Sequence, residues 1–261
     1  MTDLSVLDVA IGGTLVLLAA GLSALSKLGI SGAFLVSGAR MVAQLCLMAL
    51  VLRWLFGLSS PLAVLAAMVV MGAFAGLEVV LRHARLPGRV WATVTGGGLI
   101  LTIGLVVSVP AVVLLIEADP WFAPQVMLPL FGMIAGSALT AVALTWTTFI
   151  EAAHRDRAII EARLSLGAPF PQAISTIRRH AAKTGLMPTV NAMGAIGLVH
   201  FPGVMTGQLL AGADPLQAVK YQLLIMFLIA GATALSVVAA AYAMTRRLTD
   251  TRHRLRLDRL G

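Results

Sequence analysis

Long uninterrupted apolar runs leave this chain few structural choices. They cover approximately Val9 to Ser26, Ala33 to Phe56, Pro61 to Leu81, Val94 to Ile116, Gln125 to Ile150, Leu186 to Ala211 and Leu216 to Thr245. Each is long enough to cross a hydrocarbon core of about 30 Å as a helix. The runs do not alternate apolar with polar residues, and ten-residue barrel segments are missing, so membrane strands are not expected. At 59% hydrophobic and 11% charged over 261 residues, the chain is too apolar for one soluble core. The expected fold is all-α: a single polytopic transmembrane domain over residues 1–261, with about seven helices in a lipid bilayer.

A net charge of +8 would suggest nucleic acid in a soluble domain. Here the basic residues are separated by membrane-length spans, so no nucleic-acid partner is expected and their placement reads as topology. One face receives Lys27, Arg40, Arg82, Arg85 and Arg89, the basic residues from Arg155 to Lys183, and the tail arginines Arg246, Arg247, Arg252, Arg254, Arg256 and Arg259. The other keeps Arg53 and Lys220 with Asp3, Asp8, Glu117, Asp119 and Asp214. The positive-inside rule then puts the amino terminus outside and the carboxyl terminus, with a basic tail over 246–261, in the cytosol. Met1 to Asp8 carries no early Lys or Arg, unlike a cleavable signal, so the first run is expected to be a retained helix. Cys46 is the only cysteine, which excludes an intramolecular disulfide and a cysteine-based metal cluster.

Between the fifth and sixth runs lies one soluble-looking segment, residues 151–185, on the expected cytosolic side. Helix formers run from Glu151 to Leu166, with Glu151 and Arg155 spaced i,i+4, and Gly167 stands where a left-handed cap belongs. Pro169 and Pro171 forbid simple continuation, and Gln172 to Thr184 is expected as a second short basic helix. The result is a helix-turn-helix knob. Its Glu161-Ala162 opening, with Gly167 six positions on and Ile177 further along, resembles the EAA loop of ABC transporter permeases. The family's closing Leu-Pro is absent, since Arg179 and His180 stand there, although Leu186-Met187-Pro188 follows. The resemblance implies that Glu161, Ala162, Gly167 and Ala168 couple the chain to a separate ABC ATP-binding subunit.

The sixth run departs most from a plain membrane helix. It contains Pro188, Asn191, Gly194, Gly197, His200, Pro202-Gly203, Thr206 and Gln208. Proline removes a backbone donor and clashes with the preceding turn, so a break near Pro202 is expected. Broken helices persist at membrane depth where protein or a wet cavity satisfies the freed backbone, and transporters place sites there. His200 is the only histidine within a span and is the candidate metal ligand, although a lone histidine also sits comfortably against a neighbouring carbonyl. Residues 203–212 fit either the outer half of a span or a re-entrant segment. Arg40 and Gln44, one turn apart in the second span, and Glu78 with Arg82 at the end of the third, fit snorkelling and topology or a gate. The glycine pairs Gly72/Gly76 and Gly132/Gly136 are expected to pack helices closely, and Gly203/Gly207 has the same spacing.

Several chemistries are missing. No Gly-x4-Gly-Lys-Ser/Thr loop occurs, so the chain is not expected to be an enzyme or to carry a cofactor; ATP and Mg would be bound by a partner. Ser137 and His200 would make an intramembrane dyad, but Gly136-Ser137-Ala138 is not the Gly-x-Ser-Gly of rhomboid proteases, and Ser137 reads better as a small packing residue. The twelve methionines form no Met-x-x-Met cluster.

The segment from Gly197 to Gly212, followed by Asp214-Pro215 and Lys220-Tyr221-Gln222, closely resembles the FetB family of permeases. Arg40-Met41-Val42-Ala43-Gln44-Leu45, Arg85-Leu86-Pro87-Gly88 and Pro129-Leu130-Phe131-Gly132-Met133 agree, so the resemblance covers nearly the whole chain. That family includes the membrane half of a bacterial exporter linked to iron and a plant relative tied to aluminium tolerance. It implies a multi-pass permease of the bacterial inner membrane, working as a homodimer with an ATPase to export iron or another metal ion. Arg40, Gln44, Asn191, His200, Pro202, Gly203, Thr206 and Gln208 would line or gate the route. The family usually has a small polar residue where His200 stands and asparagines near Ser137 and Thr140, so an organic solute, such as a nucleotide sugar, is the alternative cargo. A non-transporting scaffold or sensor is the other.

Overall fold

The computed structural model describes residues 5–58, 60–81, 88–197, 200–250 and 254–259. Among these it is helical: α1 (Val6–Leu25), α2 (Ser31–Phe56), α3 (Pro61–Leu81), α4 (Arg89–Pro110), α5 (Pro124–Arg155), α6 (Arg157–Ser165), α7 (Phe170–Ala173), α8 (Ser175–Ala195), α9 (Gly203–Leu210) and α10 (Pro215–Arg247). A π-helical segment, Ala111–Ile116, prolongs α4. No strand occurs among the described residues; there are only isolated bridges, Ile196 with His200 and Thr249 with Leu255.

Among the described residues, helices α1 to α5 and α10 are long and apolar enough to cross a membrane, six where the sequence shows seven apolar runs. The difference lies in Leu186 to Ala211, which is divided between α8 and α9. Helix α8 begins at Ser175, so the expected basic helix over 172–184 and the start of the sixth run are one element, with Pro188 inside it. Arg178, Arg179, His180 and Lys183 occupy its first turns, which lowers its mean hydropathy. The expected break follows: α8 ends at Ala195, Gly197 takes φ +91°, and Pro202 is extended before α9.

The chain forms two compact units, Met1–Ser59 and Ser60–Gly261. In the first, α1 opens on a capping box in which the Asp8 N–H donates to Ser5 Oγ at 3.2 Å and the Ser5 N–H donates to Asp8 Oδ2 at 2.8 Å. Gly38 of α2 lies against Val16 of α1, close enough that an added Cβ would stand 3.3 Å from Val16 Cγ1.

The second unit is organised around α5, whose inward face buries Phe131, Ile134, Val142, Trp146 and Phe149 completely. The Trp146 Nε1–H donates to the Ala240 carbonyl of α10 at 3.0 Å, and its ring stacks on Trp91 of α4 at 5.5 Å. One indole thus ties three helices. Helices α3 and α4 approach closely because Gly76 faces Gly97, where an added Cβ would lie 2.8 Å from the Gly97 Cα. The Gly72/Gly76 pair therefore packs as expected. Gly136 does not, since nothing lies within 4 Å of its Cβ position, and the same holds for Gly203 and Gly207. Arg82, Arg85, Leu86, Pro87 and Arg252 lie outside the described residues.

Candidate functional site

The knob is a folded object with a small core. The Asp156 backbone (φ −98°, ψ 18°) departs from helix, so the expected helix from Glu151 to Leu166 is two, α5 and α6, bent at Asp156. The expected Glu151–Arg155 ion pair is replaced by a nearer one: Arg155 Nε donates to Asp156 Oδ1 at 3.0 Å. That hydrogen bond holds the Asp156 carboxyl below the usual carboxylate range. Helix α6 ends on a Schellman cap. Gly167 has φ +88°, its N–H donates to Leu164 O at 3.0 Å, and the Ala168 N–H donates to Arg163 O at 3.1 Å. Arg163 Nη1 reaches across the turn to Ala173 O and Thr176 Oγ1, both at 3.1 Å. Ile160, Phe170, Ile174 and Ile177 are buried beneath.

The outer side of the knob is open. Glu161 is exposed and accepts from Arg157 Nε at 2.7 Å; Ala162 is exposed and Ala168 half-buried. Leu166, beside Gly167 at the tip, is 88% exposed, and Ile159 is also exposed.

Helices α5 and α8 lead from the knob to a cavity of about 600 Å³ beside the helix break. They touch at Gly185, where a Cβ would collide with Thr145 Oγ1 and approach Ala141 O at 3.0 Å. The space is lined by Ser137 and Thr140 of α5, Pro188 and Thr189 of α8, His200 and Pro202 of the link, Gly203 and Val204 of α9, and Gln222 of α10, with apolar residues between. His200 is held by its backbone: its N–H donates to Ala195 O at 3.2 Å and its carbonyl accepts from the Gly197 N–H at 3.1 Å. Thr140 Oγ1 donates to Gly136 O at 3.1 Å. Gln222 is 6% exposed, and its Oε1 has no hydrogen-bond partner.

Of the residues singled out for a route, His200, Pro202 and Gly203 meet at this cavity, while Asn191, Thr206 and Gln208 are not in its lining. The Thr206 hydroxyl turns back to Pro202 O at 3.1 Å. Arg40 and Gln44 are exposed on α2, in the first unit. No group of three or more His, Cys, Asp or Glu able to hold a metal ion occurs among the described residues. Gln222 entered the sequence analysis only within the FetB-like stretch and not as a route residue, Thr189 was not singled out, Ser137 was read as a small packing residue, and Thr140 entered only where the FetB pattern is not followed. The signal for Gln222 was a glutamine inside an otherwise apolar run, which is costly unless it has a use.

A bundle of membrane-length helices, with a folded knob at one end and a broken helix beside an internal cavity, defines a multi-pass membrane permease. The chain belongs to the family described as "Uncharacterised protein family (UPF0014)", whose model matches residues 6–249. A UPF0014 membrane protein of Synechocystis is 36% identical over 251 residues, covering 94% of this chain and 95% of that protein. The "Probable iron export permease protein FetB" of Escherichia coli is 29% identical, covering 97% and 95%. "Protein ALUMINUM SENSITIVE 3" of Arabidopsis thaliana is 29% identical, covering 87% and 81%. No solved structure matches the chain.

Proposed function

We propose that this chain is the membrane-spanning subunit of an ABC transporter that exports iron or another metal ion, using ATP hydrolysed with Mg on a separate subunit. The observation that carries the reading is the knob: a helix closed at Gly167, an internal core, and an outward surface of Glu161, Ala162 and Leu166. The full-length similarity to a protein named as an iron export permease supports the cargo class.

In this reading the knob faces the cytosol of a bacterial inner membrane, and two copies of the chain pair, each seating one knob on one ATP-binding subunit. Closure of those subunits pushes the knob. Since α5 and α8 carry the knob at one end and the cavity further along, and cannot slide past each other at Gly185, the push reaches the cavity as a change in helix separation. The break between Ile196 and Pro202 is where α8 can yield without moving α9.

The test is ATPase activity of the purified chain with its ATPase partner in lipid vesicles, with and without ferrous iron on the cytosolic side. Iron-stimulated hydrolysis that falls on His200→Ala supports metal export. Hydrolysis indifferent to iron keeps the permease and removes the cargo, and no hydrolysis above that of the ATPase subunit alone removes both in favour of a scaffold or sensor.

A further inference from the structure

Arginines of the knob and the tail have carboxylate partners: Arg155 pairs with Asp156, Arg157 with Glu161, Arg254 with Asp250 and Arg256 with Asp258. Arg89, which opens α4, and Arg247, which closes α10, make no ion pair among the described residues. Both line one open groove of about 560 Å³. Arg247 is fixed in place there. Its guanidinium lies over the Trp91 ring at 5.2 Å from the centroid, and that ring stacks on Trp146. Its Nε is enclosed and makes no hydrogen bond, so no acid holds the charge; Nη2 reaches to 3.4 Å from where a Cβ on the exposed Gly88 would stand. A half-buried guanidinium without an acid carries a desolvation cost that an anion in the groove would offset.

The rest of the lining is mostly apolar and contains no acid. Val90 and Val94, one helical turn apart on α4, are 79% and 68% exposed, and Trp91 stands between them in sequence. Helix α4 is long and apolar enough to cross a membrane, so exposed valines on it meet acyl chains. The groove therefore changes character along its length, from two cations at the helix end to a hydrocarbon wall from the first turn inward. A soluble anion would use the first part and leave the second. An uncharged lipid would do the reverse, and a zwitterionic headgroup would bring its own cation to the arginines. A phospholipid of net negative charge uses both parts. Its phosphate can take the planar fork of a guanidinium, and its chain can lie along Val90 and Val94.

We propose that this groove binds an anionic phospholipid of the surrounding membrane, with the phosphate on Arg89 and Arg247 and an acyl chain against Val90 and Val94. The lipid bridges the start of α4 and the end of α10, beside the Trp146 ring that already ties those helices to α5. Its occupancy therefore stabilises the end of the bundle that carries the knob. The inference is independent of the transport reading and of any cargo.

The experiment is native mass spectrometry of the full chain, released from detergent containing equal amounts of phosphatidylglycerol and phosphatidylcholine, with thermal unfolding measured in each lipid separately. Phosphatidylglycerol should be retained in preference to phosphatidylcholine and should raise the unfolding midpoint further. Arg89→Gln, at an exposed position, should lower that retention at least about fivefold while leaving the midpoint in lipid-free detergent unchanged. Arg247→Gln should lower it as much, and carries the test alone if the Arg89 variant does not fold. Arg179→Gln removes the same charge from an exposed position outside the groove and should leave retention as it is. Glycerol 1-phosphate, which has the anion without the chains, should not displace the lipid at equal concentration. Equal retention of the two phospholipids overturns the proposal. So does a loss in Arg179→Gln as large as in Arg89→Gln, which would mean attraction to the basic face at large, and so does displacement by glycerol 1-phosphate, which would mean a site for free phosphates. Because no ATPase partner is present, the result stands or falls apart from the vesicle assay.

Discussion

The knob and the cavity are assembled from opposite kinds of contact. The hydrogen bonds that shape the knob's turn and bend join residues close in sequence: Arg155 to Asp156, Arg157 to Glu161, Gly167 to Leu164, Arg163 to Thr176. The cavity is bounded by residues from α5, α8, α9 and α10, with Gly185, where α8 closely approaches α5, in its lining. A locally encoded device can be docked and exchanged as a unit. A cavity walled by several helices changes shape whenever one of those walls moves. In the proposed reading, α5 and α8 join the two and the first serves as a handle for the second.

The strongest way to break this comparison is at the shared contact. Gly185→Val puts a branched side chain where Thr145 Oγ1 and Ala141 O already stand, and should cost about 3 kcal/mol, since overpacking in a close helix contact forces backbone shifts. Thermal unfolding in detergent should show a clear fall in midpoint, and a variant as stable as the parent would mean that α5 and α8 are not locked here. Next in size, Gly167→Ala forces a side chain into a left-handed conformation at a cost of about 1 kcal/mol, felt at the knob and not at the cavity. Hydrogen exchange that quickens in α6 and α7 while α10 stays protected would sharpen the separation; uniform loss would dissolve it.

Glu161→Lys tests the surface alone. Its ion pair with Arg157 is exposed on both sides, so stability should change by less than about 0.5 kcal/mol. Under the proposed docking, hydrolysis by the ATPase partner should no longer be coupled to transport. Transport at full rate in that variant would remove the docking idea while leaving the fold untouched.

The smallest effect is one of pH. The Asp156 carboxyl is held below its ordinary value by the hydrogen bond from Arg155, so the stabilisation is present above the unfolded-state value near pH 4 and is lost as pH falls through the folded value. Acidification from about pH 5 to about pH 3 should therefore lower the unfolding midpoint slightly more in the parent than in Asp156→Asn. Equal slopes would mean that the bend between α5 and α6 does not depend on the pair.

Legibility followed the range of the contacts. Gly167 as a left-handed cap was readable because a helix end needs only a few consecutive residues. The break before α9 was readable because proline acts on its own backbone. The bend at Asp156 was not, because Glu151 and Arg155 have helical spacing and the adjacent carboxylate won by being nearer. Asn191, Thr206 and Gln208 looked as eligible as His200, and only the rotation of each helix about its axis decided that His200 would line the cavity while the other three would not.

By itself the sequence determined that this chain spans a membrane several times as helices, where it would interrupt them, and that a capped knob would stand between the fifth helix and the broken one. Those outcomes depend on hydrophobic length and on backbone chemistry, both local properties of the chain. The tertiary structure alone decided that Gly185 would bring α8 close against α5, that Gly136 would face open space instead of a helix, and that Gln222 and the first residues of α9 would line one cavity. Side chains on four helices share a space only through the angles at which those helices cross, and these are set by the whole set of packed residues at once.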